Sequence, residues 1–146
     1  MQLRHCIFYV DDAVDYLGED RIHNCFRWRD IMNTGAVMAT GSDYPVVHYN
    51  PMPGIFAGLE RTQDDGHPEG GWLPDQKVTL PEALKMYTCG SAQALDIEEL
   101  TGTLEAGKSA DIVVMNRNLF DSTSVQIRES RPIMTICAGK TVYEAQ

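Results

Sequence analysis

The first half of the chain alternates between apolar runs and segments whose apolar residues recur at helical spacing. Residues 3–10, LRHCIFYV, are β-branched and aromatic and predict a strand. Residues 11–18, DDAVDYLG, begin with aspartates that can cap a helix and end with a glycine that can close one. Residues 19–35 predict a second helix, broken near its middle. Residues 36–43, AVMATGSD, begin with an uninterrupted apolar run that suits a buried parallel strand. The pattern therefore predicts the order β-α-β for this half of the chain.

The middle of the chain predicts two helices separated by a long loop. Residues 54–61, GIFAGLER, predict a short helix, and residues 62–78 form a loop rich in Asp, Gly and Pro. Loops of that length in a compact domain are either functional or disordered. Residues 79–95 carry the best helix signal, because the Thr79 hydroxyl can accept from the Glu82 amide while the Glu82 carboxylate reaches back.

The last third changes to short β segments with glycine turns. Residues 101–116, 124–130 and 132–145 each predict strands, and the AGK at 138–140 predicts a tight hairpin turn. No repeat or low-complexity tract interrupts this pattern. We therefore expect an α/β part over residues 1–95 and a small β part over residues 96–146.

Composition and charge exclude several classes of partner. The 146 residues are 43% hydrophobic, enough for a buried core, and 12 basic against 21 acidic residues leave a net charge of −9. Because the basic residues are scattered, neither a nucleic-acid footprint nor an anionic membrane patch is predicted. The four cysteines have neither zinc-site nor disulfide-framework spacing, and the N-terminal apolar run is too short for a signal peptide or a membrane span. We expect a soluble, cytoplasmic chain.

Asp43 is the strongest candidate for chemistry. It follows the second predicted strand, and open α/β sheets and barrels place reactive groups at that end. GSD before YP is also good turn chemistry, so on spacing alone an Asx turn is the favoured alternative at this point. His48 shares the loop and is a candidate substrate contact, whereas no two histidines have metal-binding spacing. Arg61 is either an anion contact or a solvated residue at a helix end.

Four motifs together resemble the C-terminal end of the amidohydrolase superfamily, in particular its amidohydrolase-3 branch. They are GSDYPV, LPEALKMYTCGSAQAL, GTLEAGKSADIVVMNRN and TICAGKTVY, in this order, and the resemblance extends from about residue 17 to the end. It implies the C-terminal portion of a (β/α)8 TIM barrel plus part of the flanking β-sandwich (composite) domain. Residues 1–95 would then hold the last βα units of the barrel, and residues 96–146 the C-terminal part of the sandwich.

The same resemblance implies hydrolysis of amide-type, non-peptide C–N bonds in a small molecule by a metal-activated water. Asp43 would end the eighth barrel strand, contact a divalent metal, commonly zinc, and relay a proton from the bound water to the leaving group. Tyr44 and His48 would line the substrate pocket on the following loop.

The chain departs from the family in its metal ligands. Such enzymes carry a His-x-His pair on the first strand and further ligands on middle strands, none of which has a counterpart in this sequence. We therefore expect a fragment that is inactive alone and holds no metal stably; the alternative is a short non-catalytic assembly or binding module derived from the barrel end. Unpaired barrel strands leave free edges, which predicts a homo-oligomer.

Overall fold

The computed structural model describes residues 1–146 and shows five short helices followed by a small antiparallel sheet, with a sixth short helix between the first two strands. The helices are α1 Ala13–Leu17, α2 Trp28–Asn33, α3 Met52–Glu60, α4 Leu80–Tyr87, α5 Cys89–Ala94 and α6 Ser124–Arg128. The strands are β1 Ile112–Met115, β2 Pro132–Cys137 and β3 Lys140–Glu144. Four 3₁₀ segments complete the order, at Leu3–Tyr9, Ile22–Asn24, Pro74–Gln76 and Leu119–Asp121.

The sheet has the strand order β1-β2-β3, with both pairs antiparallel. Ala138 and Gly139 form the turn between β2 and β3, and both have positive φ, 48° and 77°. A two-residue turn with two positive φ angles matches the right-handed twist of the strands it joins. The predicted AGK hairpin is therefore confirmed.

The hydrophobic core lies in the helical part of the chain. Helix α3 is its centre, with Ile55, Phe56 and Ala57 at most 3% exposed. Gly58 allows close approach, because a Cβ there would lie 2.9 Å from Val78 Cγ2 and 3.0 Å from Leu3 Cδ1. The cluster of 14 buried residues contains no residue of β1, β2 or β3. The sheet is therefore a separate, thinly covered layer.

Residues 3–10 do not form the predicted strand. They form the 3₁₀ segment Leu3–Tyr9, in which Leu3, Cys6 and Ile7 are buried. Positions i, i+3 and i+4 lie on one face of a helical turn, and this face packs on α3. The strand prediction was wrong because it was based on the β-branched and aromatic composition of this segment. The spacing of the buried positions, Leu3, Cys6 and Ile7, is helical.

The predicted strand at residues 36–40 is also absent. The segment is bonded instead to helical neighbours: the Thr40 N–H donates to Met86 O at 3.1 Å, and the Ser91 hydroxyl donates to Thr40 O at 3.0 Å. A strand needs another strand beside it to take its backbone hydrogen bonds, and no strand lies beside this segment in the chain. The predicted β-α-β order of the first half is accordingly not observed.

Two further differences concern helices. The helix predicted over 79–95 is divided at Thr88, whose hydroxyl donates to Leu84 O at 2.8 Å, so α4 and α5 are separate. The start of α4 is as predicted in one respect: the Glu82 carboxylate accepts from the Thr79 N–H at 2.7 Å. Residues 124–130, predicted as a strand, contain α6, and its start is capped reciprocally by Thr123 and Gln126.

The long loop 62–78 is tied to the N-terminal segment by polar contacts. Asp64 accepts two hydrogen bonds from the Arg4 guanidinium, at 2.9 and 2.6 Å. Asp11 contacts both Gln63 and His67, at 2.8 and 3.1 Å. The loop is therefore an anchored part of the helical body.

Candidate functional site

Asp43 lies in an exposed turn that follows the irregular segment 36–40. Its φ of 55° is left-handed, a conformation that Asp adopts more readily than most residues. Its backbone carbonyl accepts from the Val46 N–H at 2.8 Å, while the Tyr44 N–H donates to the Ser42 hydroxyl at 3.2 Å. Backbone atoms close this turn, so the Asp43 carboxylate is left free for another partner.

His48 is held by the start of α3. Its Nδ1 accepts from the Asn50 N–H at 3.1 Å, which places the ring proton of a neutral imidazole on Nε2. The Asn50 side chain in turn accepts from the Met52 N–H at 3.1 Å. Tyr49 packs on the His48 ring with centroids 4.2 Å apart, and Tyr44 meets Tyr49 edge-on at 5.9 Å. These contacts give the loop a defined shape without a metal.

A cleft of about 210 Å³ opens beside this turn. Its nine lining residues come from the N-terminal segment, the loop 42–50, and helices α3 and α4: Arg4, Phe8, Ser42, Val47, His48, Asn50, Pro53, Gly54 and Tyr87. His48 is therefore a cleft residue, whereas Asp43 and Tyr44 lie outside the lining, next to Ser42. Of the three predicted site residues, the structure brings only His48 into the cleft.

Sequence reasoning missed Arg4 and Tyr87 in this cleft. Burial raises the pKa of the Tyr87 hydroxyl, and a hydrogen bond with Thr40 opposes that shift. Gly54 leaves room for the Tyr87 hydroxyl, since a Cβ there would overlap it. The Arg4 guanidinium is paired with the Asp64 carboxylate at 2.6 Å, and Arg128 shares that carboxylate at 3.5 Å. No local motif links these positions, and only the packing of the 3₁₀ segment and α4 on α3 brings them together.

A protein metal site needs several donor side chains close together. No group of three or more His, Cys, Asp or Glu side chains lies close enough together to hold a metal ion. A catalytic zinc usually takes three protein ligands. The residues present do not make such a site, and Asp43 is one exposed carboxylate without neighbouring ligands.

Arg61 is neither an anion contact nor a solvated helix end. It is fully buried, and its guanidinium lies 4.4 Å from the Trp28 ring centroid and 5.7 Å from that of Trp72. It donates from Nε to Trp72 O and from Nη1 to Phe26 O. Burial lowers the pKa of the Arg61 guanidinium, and only the ionised forms of Cys6 and Cys25 would oppose that shift. Its role is to join α3, the long loop and the approach to α2.

Comparison with known proteins agrees with the sequence motifs. The family model described as "Amidohydrolase family" matches residues 1–143, so the chain belongs to the amidohydrolase family, as predicted. N-substituted formamide deformylase of Arthrobacter pascens is 32% identical over 128 residues, covering 87% of this chain and 23% of that protein. Imidazolonepropionase of Bdellovibrio bacteriovorus is 33% identical over 120 residues, covering 79% and 24%. Protein LONG AFTER FAR-RED 3 of Arabidopsis thaliana is 28% identical over 144 residues, covering 98% and 24%.

The chain spans about a quarter of the length of these relatives. A solved structure, an amidohydrolase from Thermotoga maritima MSB8, resembles it in fold with a TM-score of 0.61 at 20% identity. That match covers 82% of this chain and 26% of the other. None of the helices is both long and apolar enough to cross a bilayer.

Proposed function

We propose that this chain is the C-terminal quarter of a metal-dependent amidohydrolase that hydrolyses amide-type, non-peptide C–N bonds in a small molecule. One observation carries the proposal: within a chain of this family, the Asp43 carboxylate is exposed, free of side-chain partners and held by a backbone turn beside the cleft. The names of two relatives, a formamide deformylase and an imidazolonepropionase, agree with C–N hydrolysis. We place the whole protein in the cytoplasm.

The proposed architecture assigns residues 1–95 to the last βα units of a (β/α)8 barrel and residues 96–146 to the flanking β-sandwich. Residues 36–40 are compatible with it, because this segment forms no helix, has no strand beside it and precedes the turn that holds Asp43. In a complete barrel it would pair with neighbouring strands from elsewhere in the polypeptide, and Asp43 would reach the mouth where barrel enzymes keep their reactive groups.

A divalent metal, zinc in our assignment, would be held by Asp43 together with ligands from outside this chain, and it would supply an activated water for the hydrolysis. The Asp43 carboxylate would accept the proton of that water and pass it to the leaving nitrogen. His48, with its proton on Nε2, would donate a hydrogen bond to the substrate. Tyr44, which is 66% exposed, would close the pocket from the side of the turn.

A chimaeric enzyme tests the role of Asp43. This chain replaces the matched quarter of N-substituted formamide deformylase, and the variant Asp43→Asn is compared with the parent chimaera. We expect turnover of an N-substituted formamide to fall by about 10²–10⁴-fold, because the proton acceptor is lost. The bound metal, measured by elemental analysis, should fall as well, since Asn is a weaker ligand.

The matched control is Asp96→Asn. Asp96 is also exposed and left-handed, with φ 59°, but lies after α5 and outside the loop 42–50. It should keep the turnover and metal content of the parent. Equal losses in both variants, or an active Asp43→Asn enzyme, would contradict the proposed role. The isolated chain should neither bind stoichiometric zinc nor turn over substrate, and if it did both, our proposal that outside ligands are required would be wrong.

A second candidate is a non-catalytic assembly or binding module. The uncovered sheet favours it, since Val113, Ile133 and Val142 are 55%, 40% and 63% exposed. Exposed apolar side chains on an uncovered sheet are a feature of interaction sites. Inactivity of the chimaera together with a stable self-associated chain would favour this candidate over the enzyme fragment.

A further inference from the structure

Thr40 is a fixed point of the chain shortly before Asp43. Its backbone N–H donates to Met86 O at 3.1 Å, and its hydroxyl oxygen accepts from the Leu3 N–H at 3.2 Å. Thr40 is buried, and a hydrogen bond is stronger in such surroundings than in water. Both partners belong to this chain, so the position of Thr40 is set by groups that the chain itself supplies.

Ser91 in helix α5 fixes the peptide group that follows. Its hydroxyl oxygen lies 3.0 Å from Thr40 O and 2.7 Å from Met86 O. A serine hydroxyl has one proton to donate, so the two carbonyls share it in a three-centre hydrogen bond. Because Thr40 O belongs to the peptide that joins Thr40 to Gly41, this bond sets the plane of that peptide. It thereby sets the direction in which the chain leaves Thr40.

Gly41 joins this peptide to the turn that carries Asp43. The turn is held by its own hydrogen bonds: Asp43 O accepts from the Val46 N–H at 2.8 Å. The Ser42 hydroxyl accepts from the Tyr44 N–H at 3.2 Å. Glycine has the widest range of backbone angles of any residue, so the internally bonded turn can rotate about Gly41 as one unit. The orientation of the peptide before Gly41 therefore decides where the Asp43 carboxylate points.

One of the two bonds of Ser91 has an ordinary structural explanation. Met86 O is among the last carbonyls of α4, which have no partner within their own helix, and the Ser91 hydroxyl supplies one. The bond with Thr40 O is not needed for that purpose. It connects the junction of α4 and α5 to the segment that leads to Asp43.

We propose that Ser91 positions the Asp43 carboxylate for the proton transfer of the proposed reaction, a role that rests on the proposed function. Ser91 does not line the cleft, so it acts through the peptide between Thr40 and Gly41. A proton acceptor works only within about 2.6–3.2 Å of the group that gives up the proton. A misplacement of about 1 Å can cost about 10²-fold in rate.

The chimaera with N-substituted formamide deformylase tests this role with two substitutions of Ser91. Ser91→Ala should lower kcat by about 10–100-fold, because the carboxylate is no longer held in place. KM should stay within about threefold, since an interaction that acts only in the transition state lowers kcat and kcat/KM equally. Ser91→Thr should return kcat to near the parent value, because threonine keeps a hydroxyl on the same Cβ.

Ser130→Ala is the matched control for loss of a serine hydroxyl. The Ser130 hydroxyl also donates to a carbonyl at the end of a helix, Gln126 O at 2.8 Å, but Ser130 lies after α6. Ser130→Ala should lower the urea midpoint by an amount similar to that of Ser91→Ala. It should nevertheless keep the kcat of the parent chimaera.

Amide hydrogen exchange of this chain gives a readout that needs no activity. The reference is the Ile55 N–H of α3, which donates to Pro51 O at 2.9 Å. In Ser91→Ala the Thr40 N–H should exchange at least about fivefold faster relative to Ile55, because the segment opens without the core. Ser130→Ala should leave this ratio unchanged.

Three results would each overturn the role of Ser91: a kcat of Ser91→Ala equal to that of the parent, an equal loss of kcat in Ser130→Ala, or an unchanged exchange ratio at Thr40. In those cases Asp43→Asn is still inactive, and the proposed function stands. An active Asp43→Asn chimaera would instead contradict the proposed function, and the role of Ser91 in proton transfer with it.

Discussion

Arg61 is a cation enclosed by the core without a carboxylate beside it. Two carbonyls accept from it, two tryptophan faces cover it, and its Nη2 has no partner. A buried charge without an opposite charge is costly, so the contacts that hold it must offset that cost. The stacked guanidinium also fills the space between Trp28 and Trp72, and much of its contribution is therefore packing.

We predict that Arg61→Ala lowers the free energy of unfolding by about 3 kcal/mol, because it opens a cavity and leaves two carbonyls unpaired. Arg61→Met should cost about 1–2 kcal/mol less than Arg61→Ala, since its flexible side chain refills the space between the rings. Both substitutions keep a Cβ at a position with φ 55°, so the cost of the left-handed backbone conformation is the same in the two variants. Urea unfolding measures the difference, and equal losses would show that packing contributes little.

Glu82 makes stability depend on acidic pH. Hydrogen bonds from Arg29, followed by those from Thr79, lower its pKa from 4.5 to about 2, against the effect of burial. Because the folded pKa is below the unfolded one, this stabilisation is present above pH 4.5 and is lost as pH falls toward about 2. Glu82→Gln should therefore flatten the loss of stability across that window, as measured by urea midpoints. Glu99→Gln, at an exposed residue outside the ion pairs, should retain the wild-type slope.

At the scale of elements, helix α5 positions the segment that leads to Asp43. Gly90 lies against the Met38 carbonyl so closely that a Cβ would overlap it, and Ser91 donates to Thr40 O. Helix α5 thus holds this segment in place, although no strand lies beside the segment.

Gly90→Ala tests that support. Alanine normally improves a helix by about 1 kcal/mol, but here the added methyl would push residues 38–40 outward. We expect a net loss of about 1–3 kcal/mol in unfolding free energy, as for other overpacked sites. Gly41→Ala, in the same segment with open space around it, should change stability by less than about 0.5 kcal/mol. A stabilising Gly90→Ala would show that the helix and segment can separate freely.

The elements that could be predicted from sequence are those with local signals. The AGK turn, the helix after residue 11 and the helix at 52–60 depend on turn glycines, caps and spacing within a few residues. The strand predictions for residues 3–10 and 36–40 were wrong because a strand needs a partner strand from elsewhere in the chain. No local sequence pattern shows whether that partner is present. Residues 124–128 had a local signal, the Thr123–Gln126 capping box, which the β-branched composition concealed.

The candidate site was predictable only in part for the same reason. Asp43 and His48 stood out through a motif and a shared loop, whereas Arg4 and Tyr87 reach the cleft only through packing on α3. The family motifs identified Asp43. Whether its carboxylate lies in the cleft depends on how the surrounding turn folds, and the motifs do not show that.

At the scale of the whole molecule, stability is unevenly distributed. All 14 members of the core cluster lie in the helical body, and only Met115 at the end of β1 joins the sheet to it as a partly buried neighbour. A three-stranded sheet with both faces open gains little from burial. We therefore expect amide hydrogens of β2 and β3 to exchange faster than those of α3, because sheet opening needs no disruption of the core.

A pair of matched truncations measures this difference. Ile55 in α3 is 1% exposed and Ile133 in β2 is 40% exposed. Ile55→Ala should lower the unfolding free energy by about 2–5 kcal/mol, because it removes three buried methyl or methylene groups and leaves a cavity. Ile133→Ala should cost less than about 1 kcal/mol, since much of that side chain already contacts water. Urea unfolding of the isolated chain gives both values under one set of conditions. If Ile133→Ala costs as much as Ile55→Ala, the Ile133 side chain is covered in solution, and the sheet cannot be the thinly covered layer described above.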